Sequence, residues 1–317
     1  MLSQWPVVAN VLKASVVLLI VNLKFKGGNS LLFSPIFYMI KINSSQYNYK
    51  IIKKQFLKKI EIFSFFRNEN GDMSMWLVSP QHGRSYVVGK CQNRYVVSKG
   101  NGLSYTQNSL LKSLDQEKDI WGLLLYEDAL RDFNLGNEIN SLGIKTNEME
   151  AIIELDFPIH INKEVIKPIL LQYSVECPFR ISDAPFISKR QISQYMKEWK
   201  KLDKWNCKHF YEIASHILIS NLRILHDNKI LHNALTSQNL TWALELLDFE
   251  LASSPRFPYE KEDYKRHVPD LFNREIIFTY QIILDIAWIL RERPDYAYLD
   301  SLFRDYGFDF QKEFYLL

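Results

Sequence analysis

The order of strand-like and helical segments is the feature that most limits the folds open to this chain. From Met73 onward, short runs of β-branched and aromatic residues indicate antiparallel strands, and the interruption at 89–93 is typical of a hairpin. Apolar residues then recur at helical spacing over 119–142, and Gly143 follows where a helix C-terminal glycine is expected. Strand character returns in two later runs, at 151–155 and 168–175. The sequence therefore predicts a sheet with one helix.

The chain after Gln191 is predicted to be mainly helical. Residues 204–228 place apolar side chains on one repeating face, which indicates a buried helix, and 274–291 form a second strongly apolar helix. We expect an α+β fold with two lobes, an antiparallel sheet plus one helix followed by a helical half. The expected divisions are a divergent N-terminal extension over 1–70, an N-lobe over 71–190 and a C-lobe over 191–317.

Composition excludes several classes of protein. Of the 317 residues, 47% are hydrophobic and 24% are charged, an ordinary globular mixture that rules out wholesale disorder and fibrous folds. The net charge of +3 gives no strong global field, so we expect no nucleic-acid partner. The three cysteines are dispersed and form no C-x-x-C pair, which excludes a disulfide framework and a cysteine zinc site. A reducing compartment is expected, the cytoplasm or an organelle such as the mitochondrion.

Two segments in the first 60 residues are unusual in composition. The apolar stretch 7–23 is interrupted by Asn10 and Lys13 and lacks a basic start, so it is interpreted as a buried element or an extension. A membrane or signal role is the alternative. The run 41–60 holds six lysines and no acid, and it is interpreted as a solvated helix face. Contact with a membrane surface or nucleic acid is the alternative there, and membrane contact is not expected.

The segment 232–250, HNALTSQNLTWALELLDFE, carries the strongest chemical signal. His232, Asn239 and Asp248 occupy the spacing of the protein-kinase loop motifs, in which the Asn and the second Asp hold Mg²⁺ against phosphates. Ala234 stands where kinases have the catalytic Asp, and Glu250 stands at the glycine of D-F-G. The alternative is a helical domain in which the histidine satisfies backbone groups and Asp248 caps a turn.

The upstream half provides the remaining parts that a phosphate site needs. These are a glycine-bearing turn, a strand-borne lysine and a helix-borne acid that holds the lysine. Gly83 and Arg84 precede the hairpin, and Lys99 ends the following strand before a glycine-rich turn. Spacing alone leaves three acids open as the lysine's partner: Asp128, Asp132 and Glu138.

Four stretches between 73 and 250 resemble the selenoprotein O family, kinase-fold enzymes that transfer AMP from ATP to protein hydroxyls. They are QHGRSYVVGK, VVSKGNGLSYT, WGLLLYEDALRDFNLGNEINSLGIKT and HNALTSQNLTWALELLDFE. The last keeps the family's nine-residue step from the Asn to the metal-binding Asp. That family also lacks the kinase loop Asp, so Ala234 agrees with the resemblance.

The resemblance implies a role for each matched residue. The residues implied to contact ATP are Gly83, Arg84, Lys99, Gly122 and Arg180. Asp132 is implied to pair with Lys99, which leaves Glu138 on the surface. Asn239 and Asp248 are implied to bind Mg²⁺ or Mn²⁺, since amide and carboxylate oxygens suit a hard cation.

The departures from the family weaken the implied chemistry. Gln238 replaces the Asp proposed as the base, and an amide cannot accept a proton at neutral pH. Other changed positions are Gln81, Trp121, and Gln172 or Tyr173 at the first of two phosphate-reaching arginines. The family is also longer at its C-terminus, where it often carries selenocysteine or cysteine, and no cysteine follows Cys207.

The expected function is a protein adenylyltransferase that uses ATP and Mg²⁺ and modifies Ser, Thr or Tyr hydroxyls of protein substrates. The main alternative is a weak or inactive nucleotide-binding pseudokinase that acts as a binding module. An ordinary phosphotransferase is a third hypothesis, and it needs a base supplied from elsewhere.

Overall fold

The computed structural model describes residues 49–55, 85–100, 124–156, 159–161, 164–258 and 271–308. The strands are β1 (Tyr49–Lys54), β2 (Ser85–Cys91), β3 (Arg94–Lys99), β4 (Glu148–Leu155), β5 (Ile159–Ile161), β6 (Glu164–Ile166) and β7 (Ile169–Val175). The α-helices are α1 (Tyr126–Ser141), α2 (Lys189–Leu202), α3 (Phe210–Asp227), α4 (Leu271–Leu290) and α5 (Tyr296–Asp305). The predicted α+β fold class, a sheet with one helix before a mainly helical half, is confirmed.

Five strands form one sheet in the order β1-β4-β7-β3-β2, and β5 pairs with β6. β2 and β3 are antiparallel and are joined by Gln92 and Asn93, both with positive φ (48° and 66°). A two-residue turn of this kind matches the right-handed twist of the strands, and Asn tolerates its left-handed backbone. The hairpin predicted at 89–93 is confirmed.

The basic run at 41–60 is not a helix face where the structure describes it. Residues 49–54 form β1, which pairs antiparallel with β4 at the edge of the sheet. β-branched and aromatic residues favour a strand, and lysines on an edge strand discourage pairing with other chains. The helical interpretation of these residues was therefore wrong, and their charge belongs to a sheet edge.

Helix α1 ends as the sequence predicted. The chain leaves the helix after Ser141, and Gly143 adopts φ +85° while its N–H donates to the carbonyl oxygen of Asn140 at 2.9 Å. A glycine takes this left-handed conformation without the steric penalty of a Cβ. The helix begins at Tyr126 rather than at 119, and residues 119–123 lie outside the described part of the chain.

The helix predicted over 204–228 begins only at Phe210. The Asp203 carboxylate accepts hydrogen bonds from the backbone N–H groups of Trp205 and Cys207, at 3.0 and 2.8 Å. Asn206 between them has φ +59°. This closed turn separates α3 from α2, and apolar periodicity cannot reveal it because the residues that close it are polar.

The chain divides into two compact units. One contains residues 1–129 and 149–174, and the other contains 130–148 and 175–317. In the sheet unit, Ala151, Ile153, Leu155 and Leu170 form a buried apolar cluster. The largest fully buried side chains of the helical unit are Trp242, Tyr211, Phe249 and Phe303. Among the described helices, none is both long enough and apolar enough to cross a bilayer.

Two of the three thiols are buried in the helical unit. Burial raises the pKa of Cys177 to about 12 and that of Cys207 to about 11, with Asp203 adding to the second effect. Both thiols are therefore protonated at neutral pH, and a protonated thiol is neither a good nucleophile nor a metal ligand. Their role in this unit is that of small apolar side chains.

Candidate active site

A short loop after α3 presents the first residues of the 232–250 segment. His232 is fully buried, and its Nε2 hydrogen-bonds the carbonyl oxygen of Leu247 at 2.9 Å. Its ring centroid lies 5.2 Å from that of Phe249. The histidine therefore ties the loop to the residues on both sides of Asp248, which is a structural role.

A small hairpin brings Asn239 beside Asp248. The Leu247 N–H donates to the carbonyl oxygen of Asn239 at 2.9 Å, and the Thr241 N–H donates to Glu245 at 3.1 Å. Since the two chain segments run side by side, residues nine apart in sequence become neighbours. The hairpin that the sequence predicted between the loop and the D-F-x motif is present.

Three carboxylates meet at the end of this hairpin. The possible ligand oxygens of Asp132, Asp248 and Glu250 all lie within 4.8 Å of one another. Asp132 comes from α1, is fully buried, and accepts a hydrogen bond from the Phe249 N–H at 3.1 Å. Like charges this close raise the free energy of the site unless protons or a cation compensate them. Oxygen donors of this kind suit a hard divalent cation.

Asp248 adopts an uncommon backbone conformation. Its φ is +67°, in the left-handed region that non-glycine residues seldom occupy. Strained residues of this kind cost roughly 1–3 kcal/mol and are concentrated at functional sites. The conformation turns the D-F-E sequence so that Asp248 and Glu250 reach the same point as Asp132.

The side chain of Asn239 is hydrogen-bonded at both its nitrogen and its oxygen. Its Nδ2 donates to the carbonyl oxygen of Ala234 at 2.8 Å, and its Oδ1 accepts from Arg180 Nη1 at 3.2 Å. The same Nη1 donates to the carbonyl oxygen of Gln238 at 2.7 Å. The amide oxygen that the resemblance assigns to a metal therefore already accepts one hydrogen bond from a cation, which leaves its second lone pair for a ligand.

Arg180 is a buried cation without a counter-ion among the described residues. The residue is 3% exposed, and its Nε has no hydrogen-bond partner. The Asp183 carboxylate accepts from the backbone N–H of Arg180 at 2.8 Å, which fixes the residue's position. A buried guanidinium with an unused donor costs free energy, and an anionic ligand reduces that cost. This environment suits the phosphate contact implied for Arg180.

Gln238 lies at the surface of the same loop, next to Asn239. Its backbone carbonyl is committed to Arg180, and its side chain is exposed. A substitution at this position therefore changes the chemistry beside Asn239 without disturbing the buried core.

Of the residues in the sheet unit that are implied to contact ATP, the structure describes Lys99. Lys99 ends β3 and is 2% exposed, and Gly100 follows with φ +95°. A Cβ on Gly100 would lie 2.4 Å from the carbonyl oxygen of Ile169, so glycine is required there. The pairing of Lys99 with Asp132 stays a prediction. Gly83, Arg84 and Gly122 lie outside the described residues.

Gln172, at the position of a lost phosphate arginine, has a different partner. Its Nε2 donates to Glu150 Oε2 at 2.8 Å, and both residues are 2% exposed. This buried pair links β7 to β4 within the sheet. The side chain of Gln172 is therefore committed to the sheet and does not replace the arginine.

Sequence reasoning missed the hydrogen bonds from α1 to the segment after Glu250. Arg131 Nη1 donates to the carbonyl oxygens of Ala252 and Phe257, at 3.3 and 3.0 Å, and its Nη2 donates to that of Pro258 at 3.1 Å. Glu138 was expected on the surface, but its side chain is 14% exposed and accepts from Ser254 Oγ at 2.9 Å. No local sequence signal marks these contacts, because they join residues more than a hundred positions apart.

No protein-family model and no curated protein matches the sequence. The structure is similar to the kinase domain of a Toxoplasma gondii specific rhoptry antigen, with a TM-score of 0.36 and 11% identity over 72% of this chain and 74% of that chain. Such a distant likeness says nothing about catalytic residues. The resemblance to selenoprotein O rests on the four sequence stretches, and the candidate site rests on the side chains placed together in the helical unit.

Proposed function

We propose that this chain is an ATP-dependent protein adenylyltransferase that joins AMP to Ser, Thr or Tyr hydroxyls. The observation that carries the proposal is the group of three carboxylates, Asp132, Asp248 and Glu250, within one helical unit that also buries the uncompensated cation Arg180. Carboxylates that can hold a divalent cation, and a cation that can hold phosphate, are the two components that nucleotide transfer requires.

The residues present fit Mg²⁺ or Mn²⁺ in part. Asp248, Asp132 and Glu250 would hold the ion, whereas the Asn239 amide oxygen is bonded to Arg180. A bound divalent cation would neutralise charge on the phosphate oxygens of ATP. The three carboxylates would position the ion, and Asp132 also accepts a hydrogen bond from the Phe249 N–H.

Arg180 would bind phosphate in the same unit. Its Nε is an unused donor, and its position is fixed through the backbone bond to Asp183 and the contacts with Gln238 and Asn239. In the transfer, a substrate hydroxyl oxygen attacks the α-phosphorus and pyrophosphate leaves. Gln238 cannot accept the hydroxyl proton, so the proton passes to solvent. A missing base lowers the rate by ~10²–10⁴-fold and leaves catalysis by positioning and charge in place.

A pseudokinase that binds nucleotide without transfer is the second candidate function. Two observations favour it, the amide at Gln238 and the engagement of Asn239 by Arg180. On this hypothesis, Arg180 and the carboxylates serve binding alone, and the chain acts through contacts with other proteins.

Labelled ATP distinguishes these functions. Incubation of the full chain and candidate substrates with α-³²P-ATP and Mg²⁺ is expected to label protein, whereas γ-³²P-ATP is expected not to. Labelling only from γ-³²P-ATP identifies a phosphotransferase and contradicts the proposal. Nucleotide binding without either label supports the pseudokinase.

Lys99→Met is expected to weaken ATP binding while the protein stays folded. The resemblance assigns this lysine to the nucleotide, and Met retains the apolar stem of a side chain that is 2% exposed. Isothermal calorimetry with ATP and Mg²⁺ measures the dissociation constant, and circular dichroism checks the fold. Exposed Lys90→Met is the control. ATP binding by Lys99→Met with the wild-type affinity contradicts the assignment of Lys99.

A further inference from the structure

Helix α2 presents a cationic surface that the proposed chemistry does not use. Five exposed residues form it, and together they are called the basic face: Lys189, Arg190, Lys197, Lys200 and Lys201. At 3.6 residues per turn, these five positions fall within about 120° of the helix circumference. The 14-residue helix is about 21 Å long, so the face is a narrow stripe along one side of it.

The opposite side of α2 is fixed against the helical unit. Ile192 is 5% exposed, and the Lys145 Nζ lies 4.8 Å from the ring centroid of half-buried Trp199. Ser188 and Gln191 form a capping box that sets where the helix begins. The basic face is therefore held outward by the packing of its own helix.

Positive charge is concentrated around this helix. Residues 189–208 contain seven Lys and Arg against two acids, a local net charge of +5. The rest of the chain contains 32 Lys and Arg against 34 acids, a net charge of −2. A modest overall charge thus conceals a strong local field, which attracts an anionic partner over roughly a Debye length, ~8 Å at physiological salt.

Three cations of the basic face are available for a partner. Lys201 pairs with Glu198 at 2.8 Å, and Lys200 pairs with Asp203 at 3.4 Å. Lys189, Arg190 and Lys197 make no ion pair or hydrogen bond through their side chains with any other residue that the structure describes. These three need not give up an existing contact in order to bind an anion.

We infer that the basic face docks an acidic segment of a protein partner. Four of its five cations are lysines, compact point charges that suit carboxylates, whereas arginine is the residue that recognises phosphate through paired bonds. Between the cations lie Ser193 and Gln194, with no aromatic ring on which a base could stack. The side of α2 that carries Ile192 packs against the helical unit, so that side is not available to enter a bilayer.

The dimensions of the face define the partner. An extended segment covers about 21 Å with about six residues. A segment of about six residues rich in Asp and Glu therefore fits the length of the basic face.

The nature of the partner rests on the proposed function, because an adenylyltransferase of proteins must bind protein substrates. α2 follows Arg180 by nine residues along the chain, separated from it by one short 3-10 helix. We assign the docked segment to the substrate, in which it would accompany the hydroxyl that receives AMP. Docking itself needs neither nucleotide nor transfer, so it can be measured separately.

The test is direct binding of a fluorescein-labelled peptide with six Asp and Glu residues around one Ser, measured by fluorescence anisotropy with the full chain. Binding is expected to weaken as salt rises, and the same peptide with Asn and Gln in place of the acids is expected not to bind. The variant Lys189→Gln/Arg190→Gln/Lys197→Gln is expected to lose affinity by about fivefold to a hundredfold, since exposed ion pairs contribute modestly and three are removed.

The matched control removes the same number and kinds of charge elsewhere. Lys90→Gln/Lys229→Gln/Arg293→Gln replaces three exposed cations and is expected to bind the peptide like the wild type. Equal loss in both variants, or unchanged binding in the α2 variant, overturns the inference. So does binding of phosphatidylserine vesicles or a DNA duplex with no binding of the acidic peptide. The α2 variant is also expected to keep the wild-type rise in melting temperature with ATP·Mg²⁺. Loss of peptide binding together with that rise assigns the loss to the basic face and not to the nucleotide site.

Discussion

Asp248→Ala is expected to abolish the rise in melting temperature that ATP·Mg²⁺ gives the wild-type chain. A ligand that binds only the folded state stabilises it by ~2.7 kcal/mol at a hundredfold excess over its dissociation constant. Asp248 supplies the carboxylate at the centre of the proposed site, within 4.8 Å of the ligand atoms of Asp132 and Glu250. Differential scanning fluorimetry with ATP, with Mg²⁺ and with both measures the effect.

Two further variants make this result specific. Asp248→Asn keeps the shape of the side chain and tolerates the φ of +67°, so it removes the charge without adding backbone strain. Asp305→Ala removes an exposed carboxylate of the same unit and is expected to retain the full thermal shift. An unchanged melting curve of the wild-type chain at saturating ATP·Mg²⁺ contradicts the nucleotide site altogether.

Gln238→Asp is expected to raise AMP transfer by ~10²-fold or more, the usual contribution of a positioned base. Gln238 is exposed, its carbonyl accepts from Arg180, and its neighbour Asn239 is buried in the loop. The substitution therefore places a carboxylate beside Asn239 without altering the core. Incorporation of α-³²P-labelled AMP into protein substrates measures the rate.

The control for this gain is Gln238→Asn, which shortens the side chain as Asp does but adds no base. It is expected to transfer AMP at the wild-type rate. Gln172 limits the gain, since its amide is bonded to Glu150 and gives the phosphates no additional contact. If Gln238→Asp binds ATP normally and transfers no more AMP than the wild type, the pseudokinase becomes the better interpretation.

Periodicity in the sequence predicted most of the fold. The β2–β3 hairpin, the glycine at the end of α1 and the two long apolar helices are local features, encoded by residues within a few positions of one another. β1 was missed because six lysines dominate its neighbourhood, and charge says little about backbone conformation. The start of α3 was missed because a polar turn closed by Asp203 interrupts an otherwise helical pattern.

The candidate site was less predictable, because its contacts are long-range. Spacing selected Asp248 and Asn239 as candidates, yet only the fold shows that Arg180 binds the Asn239 side chain. Glu250 was interpreted as a lost glycine, whereas the structure adds its carboxylate to those of Asp248 and Asp132. A residue two positions after Asp248 carries no sequence mark of this role, since the turn at Asp248 determines where it points.

Because Arg131 makes three hydrogen bonds to the segment 252–258, we expect the order of that segment and the assembly of the carboxylates to be coupled. Arg131 and Asp132 are adjacent on α1, so one turn of helix both holds the segment that follows Glu250 and supplies an acid to the cluster. Fraying of the segment is therefore expected to loosen the group of carboxylates. By reciprocity, a cation bound at the proposed site is expected to suppress that fraying, and an ordered segment is expected to increase the affinity for the cation by the same factor.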